Sequence, residues 1–166
     1  THHHWRHVAG ARLASKVVIN PIEYSFATDF EKLTRYADVV LRRAGAPKEV
    51  RPALSVAPFR GAVYRFTAGW VDLGDVSVRV IPCGSHTWGH TCYGVENAIF
   101  TGDLGGWIVS VGTFLNVVSS LKGLKGYIAY TGEGEKVPVE EYVKRLEAEF
   151  RKLVDRYVQC LGEKTP

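Results

Sequence analysis

The sequence predicts a mixed α/β domain spanning residues 1–166, and three observations carry the prediction. Stretches 30–43 and 138–161 place apolar residues at helical spacing. Between them, short segments alternate apolar and polar residues, as half-buried strands do. The third observation is chemical: all six histidines fall in two clusters, 2–7 and 86–90. Histidines placed for packing would be scattered, so the clusters read as two halves of one metal site.

Taken in order, residues 1–10 read as the end of a strand turning into a helix, with histidines at alternate positions. Lys16 to Asn20 is a short apolar run that reads as a buried strand stopped by Pro21. Thr28 or Asp29 can cap a helix from Phe30 to Arg43, which Gly45-Ala46-Pro47 ends. A short helix or loop covers 48–57. Ala62 to Thr67 alternates and 69–74 turns. Val76, Val78 and Val80 mark a half-buried strand running into Pro82-Cys83-Gly84. Thr91 to Val95 and Ala98 to Thr101 form a hairpin around Glu96-Asn97, with Asp103 just past its second strand. Residues 107–122 have helical spacing, and Tyr127 to Tyr130 is a strand. Pro138 opens a last helix, with Val143, Leu146, Phe150, Leu153, Tyr157 and Leu161 on its buried face.

Composition narrows the function classes. A chain of 166 residues can bury a substantial core. The net charge of +4 comes from Lys and Arg spread along the helical stretches, with no basic stripe, so no nucleic-acid partner is expected. No apolar run is long enough for a membrane span, and a cytoplasmic location is expected. The three cysteines lack zinc-type spacing and read as reduced, buried thiols. Cys83 and Cys92 flank the second histidine cluster, which leaves a bridge between them open.

The site chemistry follows from residue type and spacing. On a strand, residues two apart share a face, so His2 and His4 can reach one ion. His90, in a Gly-bearing loop, would be the third nitrogen ligand, and Asp103 would add an anionic oxygen. Three neutral imidazoles with an open position make a catalytic zinc environment. His3 points away on this reading, and His86 braces the loop. Trp88 is either a pocket wall or a packing residue.

These motifs resemble those of the metallo-β-lactamase superfamily. Thr-His-His-His-Trp-Arg-His (1–7) is similar to its His-x-His-x-Asp-His signature. Gly-Ser-His-Thr-Trp-Gly-His (84–90) resembles its second histidine loop, Phe-Thr-Gly-Asp (100–103) its bridging aspartate, and Thr-Gly-Glu-Gly (131–134) its late Gly-His-Gly element. Around Cys83 to Asp103 the likeness is to the glyoxalase II branch. The resemblance implies a four-layer αββα sandwich and a metal-dependent hydrolase. It also implies that the strands preceding the first motif in the family are missing here, so that exposed sheet edges would admit a partner or a homodimer.

Carried over residue by residue, the first metal position comprises His2, His4 and His90, with Asp103 as the bridge. In the second position only His7 matches. Arg6 stands where the family has aspartate and Glu133 where it has histidine. Arginine offers no acceptor to a cation. Arg6 is therefore expected to fill the second metal's place and pair with Glu133 near 3 Å, and with Asp103. The function implied is hydrolysis of a small ester or thioester at a mononuclear site, with Asp103 and Arg6 as catalytic residues. Zinc is the expected ion, with iron and manganese also suited to the ligands. The alternative is a non-catalytic relative kept as a binding or structural unit.

Overall fold

The computed structural model describes residues 1–50, 62–105 and 107–162. Helix α1 (Trp5–Val8) leads through a 3₁₀ turn to strand β1 (Lys16–Ile19). Two helices follow, α2 (Pro21–Ala27) and α3 (Phe30–Arg43). Strands β2 (Ala62–Arg65), β3 (Gly69–Asp72), β4 (Ser77–Pro82), β5 (Thr91–Val95) and β6 (Ala98–Gly102) come next. The chain closes with α4 (Val111–Lys122), β7 (Ile128–Thr131), β8 (Lys136–Pro138) and α5 (Val139–Gly162).

Side-chain caps set the helix starts. The Asn20 carboxamide accepts from Ile22 N at 2.9 Å, with Pro21 supplying a φ already suited to the first turn of α2. Asp29 accepts from Lys32 N at 3.0 Å at the start of α3, and Ser110 from Thr113 N at 3.3 Å at the start of α4.

Two sheets result. β1 and β2 pair in parallel, and the larger sheet runs in the order β3-β4-β5-β6-β7-β8. Its pairs are antiparallel except β6 and β7, which are parallel because α4 crosses between them. Each sheet carries helices on one side, with its own core. Val8, Ile19, Ala27 and Leu33 fill the small core, under α2 and α3. The large core packs Cys83, Cys92, Ile99 and Ala129 of the six-stranded sheet against Phe114, Val117, Leu121 and Leu146 of α4 and α5. Sheets and helices together make the mixed α/β arrangement expected.

Several local expectations are corrected. Pro21 ends β1 but also starts α2, a helix that the sequence reading passed over. Residues 69–72 form β3 instead of a turn, because Leu73 to Val76 makes the hairpin. Strand β8 was not expected either. The outer stripe of α5 is not buried: Leu153, Tyr157 and Leu161 are exposed, because the helix runs on past the sheet that covers Val143 and Leu146. The expected helix or loop at 48–57 is a 3₁₀ turn over Lys48–Val50, and its remainder lies outside the described residues. Cys83 and Cys92 are joined by a disulfide, with Cα atoms 5.9 Å apart, so these two are not the reduced thiols expected, while Cys160 is free and exposed. Among the described residues no helix is long and apolar enough to cross a membrane.

Candidate metal centre

Three segments meet at one end of the sheets. The first is the bend at 1–4. It is not a strand: Thr1 O accepts from Thr91 N at 2.9 Å, and His4 O accepts from His7 N at 2.8 Å to begin α1. His2 and His4 still reach one place, because the bend turns their rings together to a centroid separation of 4.4 Å. The second is the loop 84–90, pinned at its base by the Cys83–Cys92 disulfide and by the Cys83 N–His90 O hydrogen bond of 2.7 Å. The third is the end of β6, where the ladder to β7 shifts register between Phe100 and Gly102 and carries Asp103 out of the sheet.

Ligand atoms of His2, His4, His86 and Asp103 lie within 4.8 Å of one another. The two loop histidines thus exchange the places given them by sequence reading. His86 Nε2 lies 3.2 Å from His4 Nδ1 and 4.0 Å from Asp103 Oδ2. His90 stands at the entry to β5, buried against β6, and its Nε2 meets the Thr101 carbonyl oxygen at 2.9 Å. Geometry therefore groups His86, rather than His90, with His2, His4 and Asp103.

These residues fit a cation. His2 Nε2 is buried with no hydrogen-bond partner, 3.7 Å from Asp103 Oδ2. A buried nitrogen left unpaired is costly unless something binds it. The ring nitrogens of His4 and His86 face each other, which requires either a shared proton or a common cation. Burial holds the imidazoles neutral, the form that binds metal: it pushes His2 far down, His4 down to about 4 and His86 down as well.

Asp103 is the hub. Its Oδ1 lies 3.1 Å from His7 Nε2, and its Oδ2 accepts from Arg6 Nη2 at 3.3 Å. Burial alone would raise its carboxyl, but His7 beside it and the Arg6 charge hold it at about 2. Arg6 also reaches Glu133, at 3.7 Å rather than the expected 3 Å. The Arg6 side chain is 50% exposed and that of Glu133 72%, so this outer pair is weak. The guanidinium spans Asp103 and Glu133.

Glu23 is a residue that sequence reading missed. It lies on α2 and is 1% exposed. One carboxylate oxygen accepts from Thr87 Oγ1 at 2.7 Å and Gly89 N at 2.8 Å. The other accepts from His3 N at 2.7 Å and pairs with His3 Nδ1. One side chain thereby ties the bend at 1–4 to the loop 84–90. Two glycines complete the framework. A Cβ on Gly132 would lie 1.9 Å from Asp103 Oδ1, and one on Gly102 would lie 2.9 Å from His90 Nε2. Gly102 also has a left-handed φ of 59°.

Neither protein-family models nor curated proteins gave a match to the sequence. Solved structures did. A metallo-β-lactamase superfamily protein from the archaeon Sulfolobus tokodaii is 19% identical, with a TM-score of 0.55 over 78% of this chain and 57% of that one. A metallo-β-lactamase family protein from Thermus thermophilus is 18% identical, with a TM-score of 0.60 over 87% of this chain and 55% of its own. The protein TTHA1623, solved in a di-iron-bound form, is 18% identical, with a TM-score of 0.58 over 84% and 70%.

The chain has the metallo-β-lactamase fold.

It spans little more than half the length of the first two structures. In this fold the four-residue cluster sits at the edge of the sheets, where the bend at 1–4, the loop 84–90 and the end of β6 converge. The sequence reading put His2, His4, His90 and Asp103 at one site; the structure brings His2, His4 and Asp103 together with His86, while His90 meets the Thr101 carbonyl.

Proposed function

We propose that this chain is a metal-dependent hydrolase of a small ester or thioester and works with one ion. The observation that carries the reading is the convergence of three neutral imidazoles and one carboxylate around a buried, unpaired histidine nitrogen. His2, His4, His86 and Asp103 would hold the ion. When bound, such an ion supplies a Lewis acid and acidifies water near neutrality. Zinc suits the three nitrogens best, and iron or manganese would also be accepted.

The chain's own residues supply the remaining roles. Asp103 offers oxygen acceptors that orient a water molecule, and His7 and Arg6 fix its carboxylate plane. Arg6 is half exposed, so its remaining N–H groups can donate to the oxyanion that develops as the carbonyl is attacked. The substrate is a small molecule that enters from the open side of the cluster.

One observation favours the alternative, a non-catalytic binding or structural unit: Arg6 already engages Asp103 and so competes with a cation for its charge. Metal content separates the two. Protein grown with zinc and iron should carry close to one ion per chain by plasma emission and hydrolyse thioesters. Less than about 0.2 ion per chain, with no turnover, would sink the hydrolase reading. The double substitution Arg6→Asp with Glu133→His should then raise the content towards two ions. An unchanged content would show that these positions do not face a second site.

For location, the bridged cysteines bear against the cytoplasm that the sequence suggested, since such bonds persist in oxidising compartments or in hyperthermophile interiors. Mass measurement after thiol blocking, on protein from its native cells, would decide it.

A further inference from the structure

Ile22, Phe26, Tyr36, Trp88, Trp107 and Val109 line one cavity of 510 Å³, within the size range of small-molecule sites. They come from α2, α3, the loop 84–90 and the segment before α4. Exposed aromatic side chains on a protein surface usually stand apart. Here Phe26, Tyr36, Trp88 and Trp107 converge, with Trp88 66% and Trp107 68% exposed at the mouth.

The cavity opens onto the metal cluster. His4 and His86 belong to both, and the His4 ring stacks on Tyr36 with centroids 4.9 Å apart. His3 stacks likewise on Phe26, at 4.7 Å. Among the described residues, no lysine or arginine lines it. Its one carboxylate, Glu23, is turned inward with both oxygens hydrogen-bonded to His3, Thr87 and Gly89. The wall therefore offers mainly aromatic and aliphatic surface; Glu23 is the carboxylate in its lining, and Lys32 Nζ stands 5.9 Å from the Phe26 ring centroid.

The geometry points to this cavity as the subsite for the acyl part of the substrate, and to that part being uncharged and apolar: an alkanoyl or aroyl group of about four to eight carbons, sized against the pocket volume. The inference rests on the hydrolase reading for its chemistry but not for its binding. An anionic acyl group would bring its carboxylate into an apolar wall that already holds the Glu23 carboxylate.

Two measurements on the zinc-loaded protein test it. The first compares S-acyl esters of mercaptoethanol by thiol release. A buried methylene is worth about fourfold in transition-state affinity, so kcat/KM should rise at least about tenfold from acetyl to hexanoyl. The succinyl ester should fall about tenfold below the butyryl ester. Trp88→Ala, at an exposed position where folding is not at stake, should flatten the chain-length ratio to below about threefold. Trp88→Lys should raise the succinyl ester relative to butyryl.

The second measurement needs no turnover. Hexanamide, but not acetamide, should shift the backbone amides of Ile22, Phe26 and Tyr36 and the indole signals of Trp88 and Trp107 in a ¹H–¹⁵N titration. These shifts without hydrolysis of any ester would sink the hydrolase reading and leave the subsite standing. Hydrolysis indifferent to chain length, with no such shifts, would overturn the subsite and leave the hydrolase reading intact.

Discussion

At the scale of single residues, the two loop histidines give the sharpest test of the centre. His86 points at His4 and Asp103, whereas His90 is spent on the Thr101 carbonyl. His86→Ala should abolish zinc retention against a chelator of nanomolar affinity. His90→Ala should weaken it only about 10- to 100-fold, as supporting partners do. The reverse ranking would return His90 to the ligand set. Glu23 gives a second test. Burial raises its carboxyl, but the His3 and Thr87 hydrogen bonds outweigh burial and hold it at about 2. A carboxyl depressed by folding contributes stability above its unfolded value of 4.5, and that stability is lost as pH falls from there towards 2. The histidines depressed by burial act in the same direction but from 6.5 downwards. The titratable groups around Glu23 are His3, with His90, Tyr93 and the Thr1 amino group beyond it. Urea midpoints of Glu23→Gln should therefore lie below wild type at pH 7, with the gap closing below pH 4.5. The glutamine amide keeps one acceptor oxygen, so its NH2 group strands either the His3 or the Gly89 amide, at a cost of about 1–3 kcal/mol. A constant gap from pH 7 to 3 would remove the linkage from Glu23.

At the scale of elements, the disulfide matters most. It closes a short loop holding His86, and both sulfurs lie in the large core. Cross-linking a loop of this length is worth about 2–3 kcal/mol by the chain-entropy argument. The Cys83→Ser, Cys92→Ser double variant should lower the urea midpoint accordingly and loosen zinc. An unchanged midpoint would mean that the bridge contributes nothing. Legibility in the sequence varied with element length. Helix α3 was readable to the residue, since its periodic stripe and Asp29 cap agree, and the β5–β6 hairpin nearly so. Short elements were not: β8 has three residues, and its strand character comes from pairing with β7. Helix α2 had its signal in Asn20-Pro21, a cap followed by proline, which a reading that treats proline only as a stop overlooks.

At the scale of the whole molecule, the sandwich was legible only through motifs, because periodicity alone does not say that helices cover both faces of a sheet pair. The metal-centre residues were legible as a set, since histidines clustered in sequence had to meet somewhere. Which loop histidine joins the cluster was not, because His90 is taken up by one carbonyl, that of Thr101, contributed by a different strand. The glycine pair at the centre leads to a further consequence. Gly102 and Gly132 give no atom to the cation, yet a single methyl group at either would collide with Thr1, His90 or Asp103. In a saturation library sorted for zinc retention, both positions should accept as few residues as His2 or His86, while Arg6 and Glu133 admit many. Sequencing the sorted pool reads this directly, and free variation at Gly132 would refute it. The instructions for the site would then reside as much in two places kept empty as in the side chains that fill the rest.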